Sequence, residues 1–419
     1  MNQNSLQIRN SSHVLFVDMN SFFASCEQQV NYWLRGRPVG VCVYTGKFGC
    51  VIAPSVEAKK RGVKTGMRLN EAMVICPELV PLETNPARYR DFHKKIITVL
   101  KKYSNEVIPK SIDEAIVNLN GYELIYSDVA MVAKKIKQDI RNEVGDWLKC
   151  SIGIAPNAFL AKLASDVQKI DGLTVITPEN IDEVLKKLRL KDLPGIASNM
   201  AERLQNAGIN TPLELRYTSP ERLRIICRGL SGEYWHQRLN FGEVDMNDNK
   251  DYKTMQAMRH LSKEQRKVVS GVNEIFLMLC MTLEKRMVEK NIFCKTIGFH
   301  ARYESGYNYT DTINVSIPIQ DGMVLIKALR ERMGKFEKAN KCEVINTDII
   351  LINIVVGDFI NENAIQYDMF NDNSKQDKLR KTVYALKDKF GLNKLMRLAE
   401  LNDHAPVKDV IGFGSVKDL

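Results

Sequence analysis

HVLFVDMNSFFASCEQQ, residues 13–29, sets the frame of this chain. His13 to Val17 is a short β-branched run that stops at Asp18, and Phe22 to Gln29 reads as the helix behind it. A carboxylate at a strand end points into a cleft. Further on, SIDEA at 111–115 opens a stretch, Ile112 to Leu119, whose alternation predicts another strand with Asp113 and Glu114 near its start.

Outward from these two stretches the chain falls into successive units. Residues 30–87 form a small Gly- and Lys-rich insertion with short strands at Val39–Val43 and Cys50–Ala53 and helices at Ser55–Arg61 and Leu69–Ile75. Arg88 to Tyr103 places Phe92, Ile96, Val99 and Leu100 on one buried helix face. A helix from Asp128 to Glu143 and a strand at Cys150–Ile154 complete a β-α-β rhythm, an α+β sheet backed by helices.

From Pro178 to Gly242 the pattern is short helices with glycine turns. Leu193-Pro194-Gly195-Ile196, the helix Asn199–Ala207 and Gly208-Ile209 have the form of a helix-hairpin-helix, which offers backbone N–H groups to DNA phosphates; a plain helix-turn-helix core is the alternative. After a polar linker, Val244 to Lys253, a second unit spells β-α-β-β-α-β: Gln256–Leu261, Val268–Glu289, Cys294–Tyr303, Tyr309–Val315, Gly322–Lys335 and Val344–Val356. Arg259, Lys263, Arg266, Lys267, Lys295 and Arg302 are its candidate phosphate contacts, with solvated surface charge as the bland reading of each. A terminal helix, Lys378–Phe390, follows a hydrophilic tail that carries Gln366-Tyr367-Asp368-Met369-Phe370.

At 419 residues the chain is longer than one core usually supports, so two to four domains are expected. Sixty Lys and Arg against fifty Asp and Glu, a net charge of +10, favour a polyanionic partner. No run approaches the ~18–20 apolar residues that spanning a bilayer needs, and Met1 to Ser12 lacks the apolar core of a secretory signal, so a cytoplasmic protein without a membrane partner is expected. Nine cysteines, an odd number with no CxxC pair, argue against zinc knuckles and a disulfide framework and read as small core side chains.

The chemistry rests on Asp18, Asp113 and Glu114. Mg²⁺ takes oxygen ligands, usually one or two carboxylates per ion with phosphates and water completing the shell. Three carboxylates from two strands can bridge two ions, which together activate an attacking 3′-oxygen and neutralise departing pyrophosphate.

These segments resemble the Y-family, or translesion, DNA polymerases, in particular the UmuC-like bacterial branch. The resemblance is carried by DMNSFFASCEQ (18–28), RGRPVGVCV (35–43), SVEAKKRGVKTGM (55–67), SIDEA (111–115), SIGIAPNAFLAKLASDVQKIDGLTVI (151–176) and LPGI (193–196), and extends more weakly over almost the whole chain. It implies a multi-domain right hand: a ferredoxin-like palm (1–29 and 88–177), small fingers (30–87), a helical thumb (178–243), a linker (244–253), a β-α-β-β-α-β little finger (254–357) and a tail (358–419). It further implies low-fidelity nucleotidyl transfer from a dNTP to the primer of a primer-template DNA.

By the same resemblance, two Mg²⁺ ions, replaceable by Mn²⁺, fall to Asp18, the backbone carbonyl of Met19, Asp113 and Glu114. Phe22 and Phe23 fall against the incoming nucleotide, with Phe23 on the steric gate that crowds a ribose 2′-hydroxyl. Lys59 and Lys169 fall by the triphosphate. Gly195 of the hairpin and the basic Arg259, Lys263 and Arg302 of the second unit are the candidate DNA contacts. Gln366, Met369 and Phe370 resemble the peptide that grips the β sliding clamp, and accessory mutagenesis subunits are further candidate partners.

The sequence departs from the pattern in places. Val56 and Lys59 stand where many members have Tyr and Arg, no proline follows Lys169, and Leu193 to Ala197 lacks the second hairpin glycine. A nucleotidyl cyclase on a similar palm and a catalytically silent DNA- and clamp-binding protein are the competing readings.

Overall fold

The computed structural model describes residues 13–46, 49–246, 253–365 and 374–390. The chain divides into two units, one before and one after the linker, at about residue 248. Among the described residues no helix is long and apolar enough to cross a membrane.

The first unit contains β1 (Val14–Met19), α1 (Phe22–Val30), β2 (Val39–Cys42), β3 (Val51–Pro54), α2 (Val56–Lys60), α3 (Leu69–Ile75), β4 (Val80–Glu83) and α4 (Pro86–Leu100). β5 (Val107–Pro109), β6 (Glu114–Asn118), α5 (Val129–Glu143), β7 (Cys150–Ala155), α6 (Ala158–Val167) and β8 (Leu173–Val175) follow. Five strands form one sheet in the order β5-β6-β1-β7-β8, with β1 antiparallel to both neighbours. As the central strand, β1 is covered on both faces, and its alternation sorts its side chains between two cores. Leu15, Val17 and Met19 pack with α1, α4 and α5 residues such as Tyr89, Ile96 and Ile136, whereas Val14 and Phe16 pack with Ala161, Leu163 and Ala164 of α6.

Gly153 of β7, paired with Phe16, lets α6 lie close on the sheet. A Cβ there would stand 2.0 Å from the Ala161 carbonyl oxygen and 2.4 Å from the Ser165 nitrogen. Inserted between β1 and α4, β2, β3 and β4 form a separate sheet in the order β3-β2-β4, over a small core of Cys42, Val51, Ala58, Leu69 and Leu79. β4, β5 and β8 were not expected from sequence; β4 and β8 are short strands held by parallel pairing with β2 and β7, and β5 has only three residues.

The unit ends in five helices, α7 (Ile181–Lys186), α8 (Ser198–Asn206), α9 (Pro212–Tyr217), α10 (Pro220–Cys227) and α11 (Ser231–Leu239). Thr211 and Ser219 cap α9 and α10 through backbone N–H groups three residues on, with Pro212 and Pro220 opening the helices.

The second unit has the expected order: β9 (Thr254–His260), α12 (Val269–Glu289), β10 (Ile292–Tyr303), β11 (Asn308–Ile319), α13 (Gly322–Asn340), β12 (Ile349–Asn361) and α14 (Ser374–Phe390). Its antiparallel sheet runs β11-β10-β12-β9. The last strand is shifted from the expected Val344–Val356. Asn346 Oδ1 accepts from the Asp348 N–H at 3.0 Å and turns the chain there, while Val344 is held by the Tyr303 hydroxyl, which donates to its carbonyl at 2.7 Å. Seven cysteines are buried, Cys50 is half-buried and Cys342 exposed; all are free thiols.

Replacing Gly153 by Ala has no space to relax into except by lifting α6. Melting of the purified variant is expected to show a loss of about 1–3 kcal/mol, together with a weakened site, since the helix that moves carries Lys162.

Candidate active site

Alternation along β1 decides where Asp18 goes. It shares the face of Val14 and Phe16, and its antiparallel partner is Glu114. Both carboxylates therefore meet α6, where the Lys162 ammonium donates to Asp18 Oδ2 at 2.6 Å and to Glu114 Oε1 at 2.7 Å, with Asp166 Oδ1 at 3.4 Å. The same ammonium stands 5.0 Å from the centre of the Phe16 ring. Burial works against its charge, yet the carboxylates of Asp18, Glu114 and Asp166 push Lys162 well above the usual lysine range. Divided among three acids, this one charge does not offset the burial of Asp18, whose carboxyl is held above its ordinary value.

Asp113 lies beside this group and faces differently. Ser111 donates its hydroxyl to Asp113 Oδ1 at 2.5 Å and accepts the Asp113 N–H at 3.3 Å, so Ser111 shapes the turn that presents the acids. Burial raises Asp113 despite the Ser111 hydrogen bond, and the charge of Asp18 adds to the rise. The Met19 N–H donates to the Asp113 carbonyl at 2.9 Å, which ties the two strand ends together.

Just beyond the acids the backbone is strained. Ser21 precedes α1 in the left-handed region (φ 49°), and its Oγ is buried without a hydrogen-bond partner. Ile170 and Asp171, next to Lys169, also have positive φ, 82° and 58°. Asn20 joins the two turns, since its Oδ1 accepts from the Asp171 N–H at 2.7 Å and its Nδ2 donates to Ser151 Oγ at 3.1 Å.

Lys59 and Lys169 reach the same neighbourhood from different elements. Desolvation lowers the Lys59 ammonium and the nearby Lys169 charge lowers it further, against the pull of Asp18 and Asp113. Lys169 stands 3.2 Å from Asp166 Oδ1 and is largely exposed. Phe22 and Phe23 pack 5.9 Å apart behind the strand end.

The expected DNA contacts fare unevenly. Gly195 has φ +89°, which makes glycine the fitting residue in the turn before α8. Lys263 and Arg302 are exposed. Arg259 is not: strand alternation turns it to the helix side of its sheet, half-buried, where its guanidinium donates to the Met278 sulfur at 3.9 Å. Arg266 is likewise drawn into an ion pair with Glu304 at 2.5 Å. Gln366, Met369 and Phe370 lie outside the described residues.

Among the described residues no group of three or more His, Cys, Asp or Glu side chains is drawn close enough to hold a metal ion. The oxygens nonetheless suit a hard divalent cation. Two half-buried carboxyls, Asp18 and Asp113, are destabilised in their charged form, and a monovalent ammonium spans Asp18 and Glu114 where a doubly charged ion would compensate more. Lys162 and Asp166 were not singled out from sequence. Their i, i+4 spacing in AFLAKLASDV was visible, but their meeting with β1 depends on how α6 crosses the sheet.

Because the fold raises Asp113, its charge costs stability at neutral pH, and that cost vanishes once the group is protonated in both states. In metal-free buffer at pH 8 Asp113→Asn is expected to melt about 2 °C or more above the parent. The gap should close as pH falls towards the ordinary aspartate value of 3.8. A variant that melts lower at pH 8 would contradict the raised carboxyl.

Against known proteins, residues 17–166 match the impB/mucB/samB family and residues 253–369 match the C-terminal domain of that family. A protein of Pelotomaculum thermopropionicum named DNA polymerase IV is 29% identical over 408 residues, spanning 93% of this chain and 95% of its own. DNA polymerase IV 1 of Bacillus subtilis is 29% identical and spans 92% of each chain. Among solved structures, a Y-family DNA polymerase chimera of Dbh and Dpo4 superposes with a TM-score of 0.65 at 25% identity, covering 83% of this chain and 99% of the other. An insertion ternary complex of Dbh DNA polymerase gives a TM-score of 0.55 over the same shares, at 24% identity. Similarity to polymerases along nearly the full length sets the cyclase reading aside. With both domain models matched in order and the right-hand architecture shared, the chain belongs to the impB/mucB/samB family of Y-family, translesion DNA-directed DNA polymerases.

Proposed function

We propose that the chain extends a primer on damaged template DNA by low-fidelity nucleotidyl transfer, with two Mg²⁺ ions held by Asp18, Asp113, Glu114 and the Met19 carbonyl. The observation that carries this is the single cation held between Asp18 and Glu114, on adjacent strands of a buried sheet. When bound, such ions lower the charge on a triphosphate and favour the attacking 3′-oxygen. The protein supplies the rest. The Ser111 turn fixes Asp113, the α6 lysine keeps Asp18 and Glu114 side by side, and Lys59 with Lys169 offers two positive charges to phosphate oxygens. Phe23 crowds the sugar, in keeping with a polymerase that builds DNA.

The palm, fingers, thumb and little finger are assigned to 1–29 with 88–177, 30–87, 178–243 and 254–357. Primer-template DNA and dNTP are the partners, in keeping with the likeness to the insertion ternary complex of Dbh DNA polymerase. The peptide Gln366 to Phe370 tethers the enzyme to the sliding clamp.

Primer extension on intact and abasic templates tests the chemistry. The parent is expected to extend both, and Asp113→Ala to lose about a hundredfold or more in rate; undiminished extension by the variant sinks the assignment. For the tether, replacing Met369 and Phe370 by Ala is expected to weaken clamp binding by about tenfold or more while leaving clamp-free synthesis unchanged. Stimulation that persists in the double variant removes that peptide from the account.

A further inference from the structure

The ring of Phe23 is backed by a wall. Tyr89, from the first turn of α4, stacks on it with centroids 4.4 Å apart and planes 18° from parallel. Tyr89 is wholly buried, and Phe23 is buried to 7% exposure, so one face of the Phe23 ring is covered by the stack. The Tyr89 hydroxyl donates to Glu27 Oε1 at 2.9 Å, and the Arg88 guanidinium donates to Glu27 Oε2. Glu27 lies one helical turn beyond Phe23 in α1, on the same face, and is itself buried. Asn85 caps α4 by accepting the Arg88 N–H at 3.1 Å, which fixes the turn that carries Tyr89.

A charge pair of this kind, with Glu27 buried and Arg88 half-buried, is a poor way to gain stability, because desolvating Glu27 offsets much of the attraction. What it gives is register: α1 and α4 are locked at the one height where the two rings lie flat on each other. Crowding out a single hydroxyl demands such register, since a ring that recedes by an ångström no longer crowds.

We infer that Tyr89, anchored by Glu27, is the positioning residue that fixes the Phe23 ring and thereby sets how strictly the site tells deoxyribose from ribose. This rests on the reading of Phe23 as the group that faces the sugar. A merely structural Tyr89 would affect insertion of both nucleotide types alike, whereas a positioning role changes their ratio.

Single-nucleotide insertion kinetics on the full chain measure that ratio, kcat/KM for a ribonucleotide over kcat/KM for its deoxy counterpart. Tyr89→Leu, which removes the flat wall, is expected to raise it about tenfold, and Tyr89→Phe, which keeps the stack and loses only the Glu27 anchor, about threefold. In both, kcat/KM for the deoxynucleotide is expected to change much less. Tyr89→Phe preserves core volume, so it reports even where Tyr89→Leu fails to fold, as a melting curve would reveal. Phe23→Ala is the reference. If it raises the ratio while neither Tyr89 variant does, the inference is overturned and the reading of Phe23 stands. If Phe23→Ala itself leaves the ratio unmoved, the reading of Phe23 falls and takes this inference with it.

Discussion

One ammonium organises the site. Lys162 reaches Asp18 and Glu114 because three constraints coincide: antiparallel pairing sets the two acids opposite each other, alternation turns both to the α6 face, and Gly153 lets α6 lie close on the sheet. Charge then does what packing alone could not. Two carboxylates side by side in a largely buried sheet repel and are poorly solvated, and a lysine over the Phe16 ring keeps them together while leaving Asp18 raised. A cluster that remains under-compensated is suited to receive more positive charge.

How much of this could be read beforehand follows the range of each interaction. The central strand, the acids at its end and the β-α-β-β-α-β order of the second unit were legible, because period-2 alternation and helical spacing are local signals. β4, β5 and β8 were not: β4 and β8 pair in parallel with β2 and β7, strands distant in sequence, and β5 offers only Val107–Pro109 to alternation. Val344 and Ile345 looked like the start of a strand because they are apolar; they are buried ahead of it, and the Asn346 turn delays the strand to Ile349. Arg259 looked like a DNA contact because it is basic, yet its strand faces it inward with Met255 and Ala257.

The site divides in the same way. Asp18, Asp113 and Glu114 announced themselves by position, as carboxylates beside strands, and Phe23, Lys59 and Lys169 only through resemblance to a family. Lys162 had neither signal. Lysine in an amphipathic helix is ordinarily a solvated residue, and only the crossing of α6 over β1 makes it a counter-ion. Tyr89 was hidden for the opposite reason, since a buried aromatic in a helix reads as core, and so it is. Its hydrogen bond to Glu27 becomes visible only once α1 and α4 are packed.

The strain at Ser21 follows from this division of labour between the two faces of the sheet. Charge gathers on the α6 side, where Asp18, Glu114, Lys162 and Asp166 meet, while the rings of Phe23 and Tyr89 stack in the core on the other side. A chain that leaves Asp18 on one face must enter α1 on the opposite face within four residues. A regular extended or right-handed turn does not make that passage here; the left-handed residue at Ser21 does, and the Asn20 side chain braces it against Ser151 and Asp171. Asp18 and Phe23, which the proposed reaction sets against one nucleotide, are thus joined by one strained turn. Relaxing that turn would shift the Phe23 ring relative to the charged face even if every side chain were kept.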